Sequence, residues 1–90
     1  MLVVIKSAPH TEDAQAGLRL AREMSANLML LQNGVYLARQ GGLEGINGAV
    51  YALENDIRLR GAGAQDERAK TISYNKLVDI MAEDKVIGMF

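Results

Sequence analysis

The sequence contains no cysteine. That excludes disulfides, cysteine metal sites, thiol catalysis and persulfide chemistry on this chain. It also fits a reducing cytoplasm. Histidine is nearly missing too, with His10 alone. Without a second histidine or a thiol there is no ligand set for a dedicated transition-metal site, and no cofactor is expected. An excess of one charge sign is lacking: ten Lys and Arg stand against eleven Asp and Glu, a net charge of −1. Nothing global therefore draws the chain to nucleic acid or to a membrane surface, and no direct binding to either is expected. No apolar run approaches the roughly 18 residues of a membrane span. The start, Met1-Leu2-Val3-Val4-Ile5-Lys6, meets a charge at once and is too short for a signal peptide. A soluble cytoplasmic protein is expected.

What remains is ordinary globular composition, 49% apolar and 23% charged. Ninety residues make one domain, spanning 1–90. A chain this size buries roughly 60–65% of its unfolded surface.

The stretch from Leu28 to Arg39 organises the chain. Leu28 to Leu31 form an apolar run without alternation, which suits a strand buried on both faces. Gln32-Asn33-Gly34 break it, with Gly34 expected to allow the sharp turn. A short helix is expected over Val35 to Gln40. Upstream, Leu2 to Ile5 read as a strand, and the single proline, Pro9, disfavours helix at Ala8. Thr11 caps a helix that carries Glu12 and Asp13 in its first turn. Ala14, Leu18, Ala21 and Met24 or Ser25 share its apolar face.

Downstream, Gly41, Gly42, Gly45 and Gly48 mark a loop, and Ala49 to Leu53 a third strand. Asn55 is expected to cap a short helix that ends at Gly61. Residues 62 to 70 read as irregular, and Lys70 to Ser73 as a fourth strand. Ser73 caps a last helix with Tyr74, Leu77, Val78 and Met81 at i, i+3, i+4, i+7. Val86 to Phe90 form an apolar tail that adds an edge strand. The order β-α-β-α-β-α-β-α gives a small three-layer α/β domain. It has a mostly parallel sheet of four to five strands and helices on both faces.

In open α/β sheets, ligands bind beyond the carboxyl ends of the strands. Lys6, His10, Gln32, Asn33, Asn55 and Asp56 fall on that rim and are the ligand-pocket candidates. The plainer reading is that strand ends turn polar in any such fold. Ser7, His10 and Asp56 can be written as a triad, but no nucleophile elbow frames the serine. The four glycines run from helix into strand, the reverse of a phosphate cradle. Arg58, Arg60, Arg68 and Lys70 make a loose basic group, interrupted by Asp66 and Glu67, that reads as solvated surface. Val35, Tyr36 and Arg39, with Met89 and Phe90 of the tail, are the oligomer-interface candidates. For the tail, folding back on the domain is the plainer reading.

Three stretches occur together in order: Leu30-Leu31-Gln32-Asn33-Gly34-Val35, then Val50 to Gly61 (VYALENDIRLRG), then Ile72-Ser73-Tyr74 with Leu77-Val78. In a chain of this length the set resembles the DsrH/TusB family of the DsrE/DsrF/DsrH sulfur-relay superfamily. The resemblance implies intracellular sulfur transfer. Three homologous subunits, two copies each, form a cytoplasmic heterohexamer that passes persulfide sulfur toward 2-thiolation of the tRNA wobble uridine; a related complex serves sulfur oxidation. The sulfur-carrying cysteine belongs to the DsrE/TusD-type subunit and corresponds to a position at or near Leu53. The chain is therefore expected to be a non-catalytic subunit packing against DsrE/TusD-like and DsrF/TusC-like partners, or against itself. The rival reading is a stand-alone homo-oligomer that binds a small metabolite or nucleotide at the strand-end rim.

Overall fold

The computed structural model describes residues 1–39, 41–62 and 65–90. Its elements run β1 (Leu2–Ile5), α1 (Glu12–Met24), β2 (Asn27–Leu30), a 3₁₀ helix (Gln32–Ala38), β3 (Val50–Leu53), α2 (Glu54–Arg60), β4 (Ala69–Ile72), α3 (Tyr74–Glu83) and β5 (Val86–Met89). All five strands lie parallel, in the order β4-β3-β2-β1-β5. The apolar tail is indeed the edge strand beside β1.

The topology decides which face each helix covers. Parallel crossovers are right-handed, so successive steps in one direction land on one face. The steps β1 to β2 to β3 to β4 all run the same way. They place α1, the 3₁₀ helix and α2 on one side, where Ala14, Leu18, Ala21, Val35, Leu37 and Ile57 meet Val3, Ile5, Leu28, Leu30, Val50 and Ala52. α3 returns the chain across the sheet to β5 and covers the other side. There Leu77, Ile80 and Met81 meet Leu2, Val4, Met29, Leu53 and Ile72. Successive strand residues thus alternate between two cores. Each fully buried Val, Leu or Ile contributes about 1.5–3 kcal/mol.

Two of the three expected side-chain caps are present. The Thr11 hydroxyl accepts from the Ala14 N–H at 3.2 Å, and the Ser73 hydroxyl from the Lys76 N–H at 3.2 Å. Gly61 ends α2 in the left-handed conformation, φ 57°. Asn55 does not cap α2: it lies inside the first turn, and Leu53 holds the cap position with no side-chain bond. The helix starts directly off the strand, which leaves no residue between them for a polar cap. Met24 is exposed rather than packed, because the inward face of α1 is Ala14, Gly17, Leu18 and Ala21.

The helix expected over Val35 to Gln40 is a 3₁₀ helix that begins three residues earlier, and Gln40 lies outside the described residues. A 3₁₀ helix is more tightly wound, with about 3.0 residues per turn, and more extended, rising about 2.0 Å per residue. The turn is not made by Gly34. Gln32 takes the left-handed conformation, φ 51°, and Gly34 serves a different need. A Cβ at Gly34 would run into the carbonyl oxygen of Ile5. The Gly34 backbone thus lies directly on β1, which only glycine permits.

Two ties close the molecule away from the helices. At the amino ends of the strands, Asp84 Oδ1 meets the Met1 ammonium at 2.7 Å, and Asp84 Oδ2 accepts from Asn27 Nδ2 at 3.1 Å. The hydrogen bond from the Met1 ammonium, and then the one from Asn27, hold the Asp84 carboxyl below its usual pKa. In the glycine-rich loop, the Arg68 guanidinium donates to the carbonyl oxygens of Leu43, at 3.1 Å, and Ile46. Arg68 is therefore a loop anchor rather than part of a solvated basic patch.

Candidate functional site

Gln32, Asn33 and Asp56 come together at the carboxyl ends of β2 and β3. Asp56, in the first turn of α2, accepts the Gln32 backbone N–H on Oδ2 at 2.7 Å. Its Oδ1 takes Arg60 Nη1 at 3.2 Å, one helical turn away. Arg60 Nε donates to Asn33 Oδ1 at 2.9 Å, and the Tyr36 hydroxyl donates to the Arg60 carbonyl at 3.1 Å. These bonds lock the 3₁₀ helix to α2. Both Asp56 oxygens are occupied by the protein, so this part of the rim is a structural latch.

The remaining rim residues stand apart from the latch. Asn55 accepts from Arg58 at 3.1 Å. The Arg58–Glu54 pair, at 3.5 Å and largely in water, contributes little. Lys6 is exposed, and its backbone N–H donates to the Phe90 carbonyl at 2.7 Å. Among the described residues no group of three His, Cys, Asp or Glu is placed to hold a metal ion. No described helix is long and apolar enough to cross a membrane.

His10 takes a different place. It lines a groove of about 720 Å³ between α1 and the 3₁₀ helix. Ala8, Pro9 and His10 form one end. Gln15 and Arg22 line the α1 wall, Asn33, Tyr36, Leu37 and Arg39 the opposite wall, and Gly41 and Gly42 close it. Gln15 Nε2 donates to the Pro9 carbonyl at 2.8 Å, and Arg22 Nε to the Glu44 carbonyl at 3.0 Å. Arg22 and Gln15 were not legible as site residues, since they sit seven residues apart on a helix that reads as an ordinary amphipathic one.

The expected interface residues divide three ways. Val35 is fully buried in the core and offers no contact surface, because the 3₁₀ helix turns it onto the sheet. Tyr36 and Arg39 stand on the groove wall. Met89 is 56% exposed on β5. Phe90 instead folds back: its N–H donates to the Val4 carbonyl at 2.8 Å, and its ring lies over Gly88 and near Gly17. Sequence reading also missed exposed apolar groups on two helices. Leu59 of α2 is 80% exposed, and Tyr74 and Val78 of α3 are 62% and 50% exposed. Tyr74 and Val78 were expected to pack, but α3 is rotated so that Leu77, Ile80 and Met81 face the sheet.

A family model described as DsrH like protein matches residues 6–86. The chain belongs to the DsrH family. Protein TusB of Cronobacter sakazakii is 36% identical over 89% of this chain and 90% of its own length. Protein TusB of Salmonella typhimurium is 38% identical over 87% of each. The ychN protein from E. coli shares the fold, with a TM-score of 0.79 at 17% identity, covering 99% of this chain and 96% of that one. DsrH membership makes this a sulfur-relay family protein. Leu53 is the last residue of β3. It packs under α3 in the second core, 9% exposed.

Proposed function

We propose that this DsrH-family chain is a non-catalytic subunit of a cytoplasmic sulfur-relay assembly, serving tRNA wobble-uridine 2-thiolation or sulfur oxidation. It acts by packing against persulfide-carrying DsrE/TusD-like and DsrF/TusC-like partners. The observation that carries this reading is Leu53. At or near the position where the family resemblance places the relay thiol, this chain has the buried aliphatic Leu53, and no position in the sequence supplies a thiol. Persulfide transfer needs a sulfur nucleophile, so the contribution left is shape and contact.

The uncovered apolar groups support a contact role. Leu59, Tyr74, Val78 and Met89 are large, and none of them is in the core. Tyr74 and Val78, one helical turn apart on α3, form an apolar pair left in water, which favours association; Leu59 lies on the other face of the sheet. Native mass spectrometry of the tagged chain, purified gently from its own host, tests the proposal. The expected result is a hetero-oligomer with small homologous subunits, one bearing extra sulfur on a cysteine. Leu59→Asp, at an exposed position that leaves the monomer fold intact, is expected to loosen that assembly. A homodimer or homotrimer with no partner would favour the stand-alone reading and overturn this one.

A further inference from the structure

We propose that the groove between α1 and the 3₁₀ helix binds a phosphate-bearing ligand of nucleotide size. This site includes Tyr36 and Arg39, which the sequence offered as interface candidates, but none of Leu59, Tyr74, Val78 and Met89, and it does not rest on the relay reading. It takes His10 and Asn33 from the rim site expected from sequence but leaves out Asp56, which is spent in the latch.

Charge is the first argument. The chain carries one more acidic than basic side chain. Yet the described residues lining the groove include Arg22, Arg39 and His10 and no carboxylate. Two fixed cations around one concavity, with no anion between them, are relieved by a ligand that supplies the missing charge. A net charge of −1 gives no wider attraction, so the pull is local and suits a small ligand.

Readiness is the second argument. Arg22 is held at its root by the bond from Nε to the Glu44 carbonyl, which leaves its two terminal nitrogens for a phosphate fork. Gly45, φ 82°, makes room for this: a Cβ there would sit 3.1 Å from Arg22 Nε. The Arg39 side chain has no hydrogen-bond or ion-pair partner among the described residues. The Asn33 amide nitrogen and the Gln15 side-chain oxygen have no partner among the described residues, their other ends being fixed by Arg60 and the Pro9 carbonyl.

Shape is the third. A volume of about 720 Å³ falls in the range of small-molecule sites. Gln15 and Arg22 are two helical turns apart, about 10 Å along the axis, and His10 lies beyond Gln15. The groove therefore suits an elongated ligand rather than a single compact ion. Pro9, Tyr36 and Leu37 add apolar and aromatic surface that a planar base can rest on.

Isothermal titration of the full chain with ATP, AMP, inorganic pyrophosphate and a short oligoribonucleotide tests this. ATP or AMP is expected to bind. Arg39→Glu, which touches no internal contact, is expected to weaken that binding at least about tenfold, the scale of one charge-assisted pair. Arg22→Ala is expected to act in the same direction. Lys70→Glu, on β4 and outside the groove, is expected to change it less than about twofold. Four results would overturn the proposal. These are no heat with either nucleotide at millimolar concentration, equal loss in Arg39→Glu and Lys70→Glu, pyrophosphate binding as tightly as ATP and AMP, and the oligoribonucleotide binding far more tightly than the nucleotides.

Discussion

Asp56 holds the backbone N–H of Gln32 at 2.7 Å, across 24 residues of sequence. The held residue is one of two described non-glycine residues at positive φ, the other being Ser25. A long side chain at positive φ is unfavourable, and the carboxylate offsets that by satisfying the N–H where β2 turns into the 3₁₀ helix. The same carboxylate orients Arg60, which reaches Asn33.

Asp56→Ala is therefore expected to destabilise the fold by about 1–3 kcal/mol, through loss of charge-assisted bonds. Asp56→Asn, which keeps an acceptor, is expected to lose less. Urea unfolding of the three proteins measures the order. Equal midpoints for wild type and Asp56→Ala would show that the latch contributes nothing.

Gly34 and Gly61 make a matched pair of tests. Gly61 has a positive φ and open space around its missing Cβ; Gly34 has the Ile5 carbonyl there. Gly61→Ala is expected to cost about 1 kcal/mol. Gly34→Ala forces two backbone segments apart and is expected to cost about 3 kcal/mol or more. Thermal unfolding separates them, since about 1 kcal/mol corresponds to roughly 4–8 °C in a domain this size. A larger loss at Gly61 would mean that the close approach of the 3₁₀ helix to β1 is readily relaxed.

Asp84 predicts an acid limb. Its pKa is lowered in the folded state, chiefly by the Met1 ammonium and then by Asn27. A depressed folded pKa contributes stability that is fully present above the unfolded value, near 3.8, and is lost as pH falls through the folded one. The gap between wild type and Asp84→Asn is expected to be present at pH 7 and to shrink below about pH 4. Urea midpoints at pH 7 and pH 3 check this, and a gap that widens in acid contradicts the tie.

Much of the fold could be read from local pattern. The unbroken apolar strands, the Thr11 and Ser73 caps and the Gly61 stop are signals carried by neighbouring residues. What could not be read depends on approach in space. Gly34 looks like a turn glycine until Ile5, 29 positions earlier, is laid against it. Val35 and Tyr36 are adjacent, yet one is core and the other wall, because the 3₁₀ helix changes the periodicity that an α-helical reading assumes. Tyr74 and Val78 repeat at helical spacing, and only the rotation of α3 on the sheet shows that Ile80 takes their place. The rim was legible as polar, but which carboxylates were already spoken for was not. Arg22 is held at the groove by the glycine-rich loop and Gln15 by the Pro9 carbonyl, contacts that the pattern along α1 does not show.

The pairing of β5 with β1 has a consequence for how the chain comes to be folded. Of the five strands, Leu2 to Ile5 is the first to be synthesised, and it is wholly buried in the finished sheet. One of its two edges is covered only by the last of the five. The bonds that seal it run from Lys6 and Ser7 to the Phe90 carbonyl, and from Phe90 to Val4. Ordering the sheet thus waits on contacts between its first and last strands, the kind of topology that slows folding. Until then the β1 edge is a sticky, half-made surface. A ribosome stalled before Val86 holds a nascent chain that a chaperone, or another strand, can still claim.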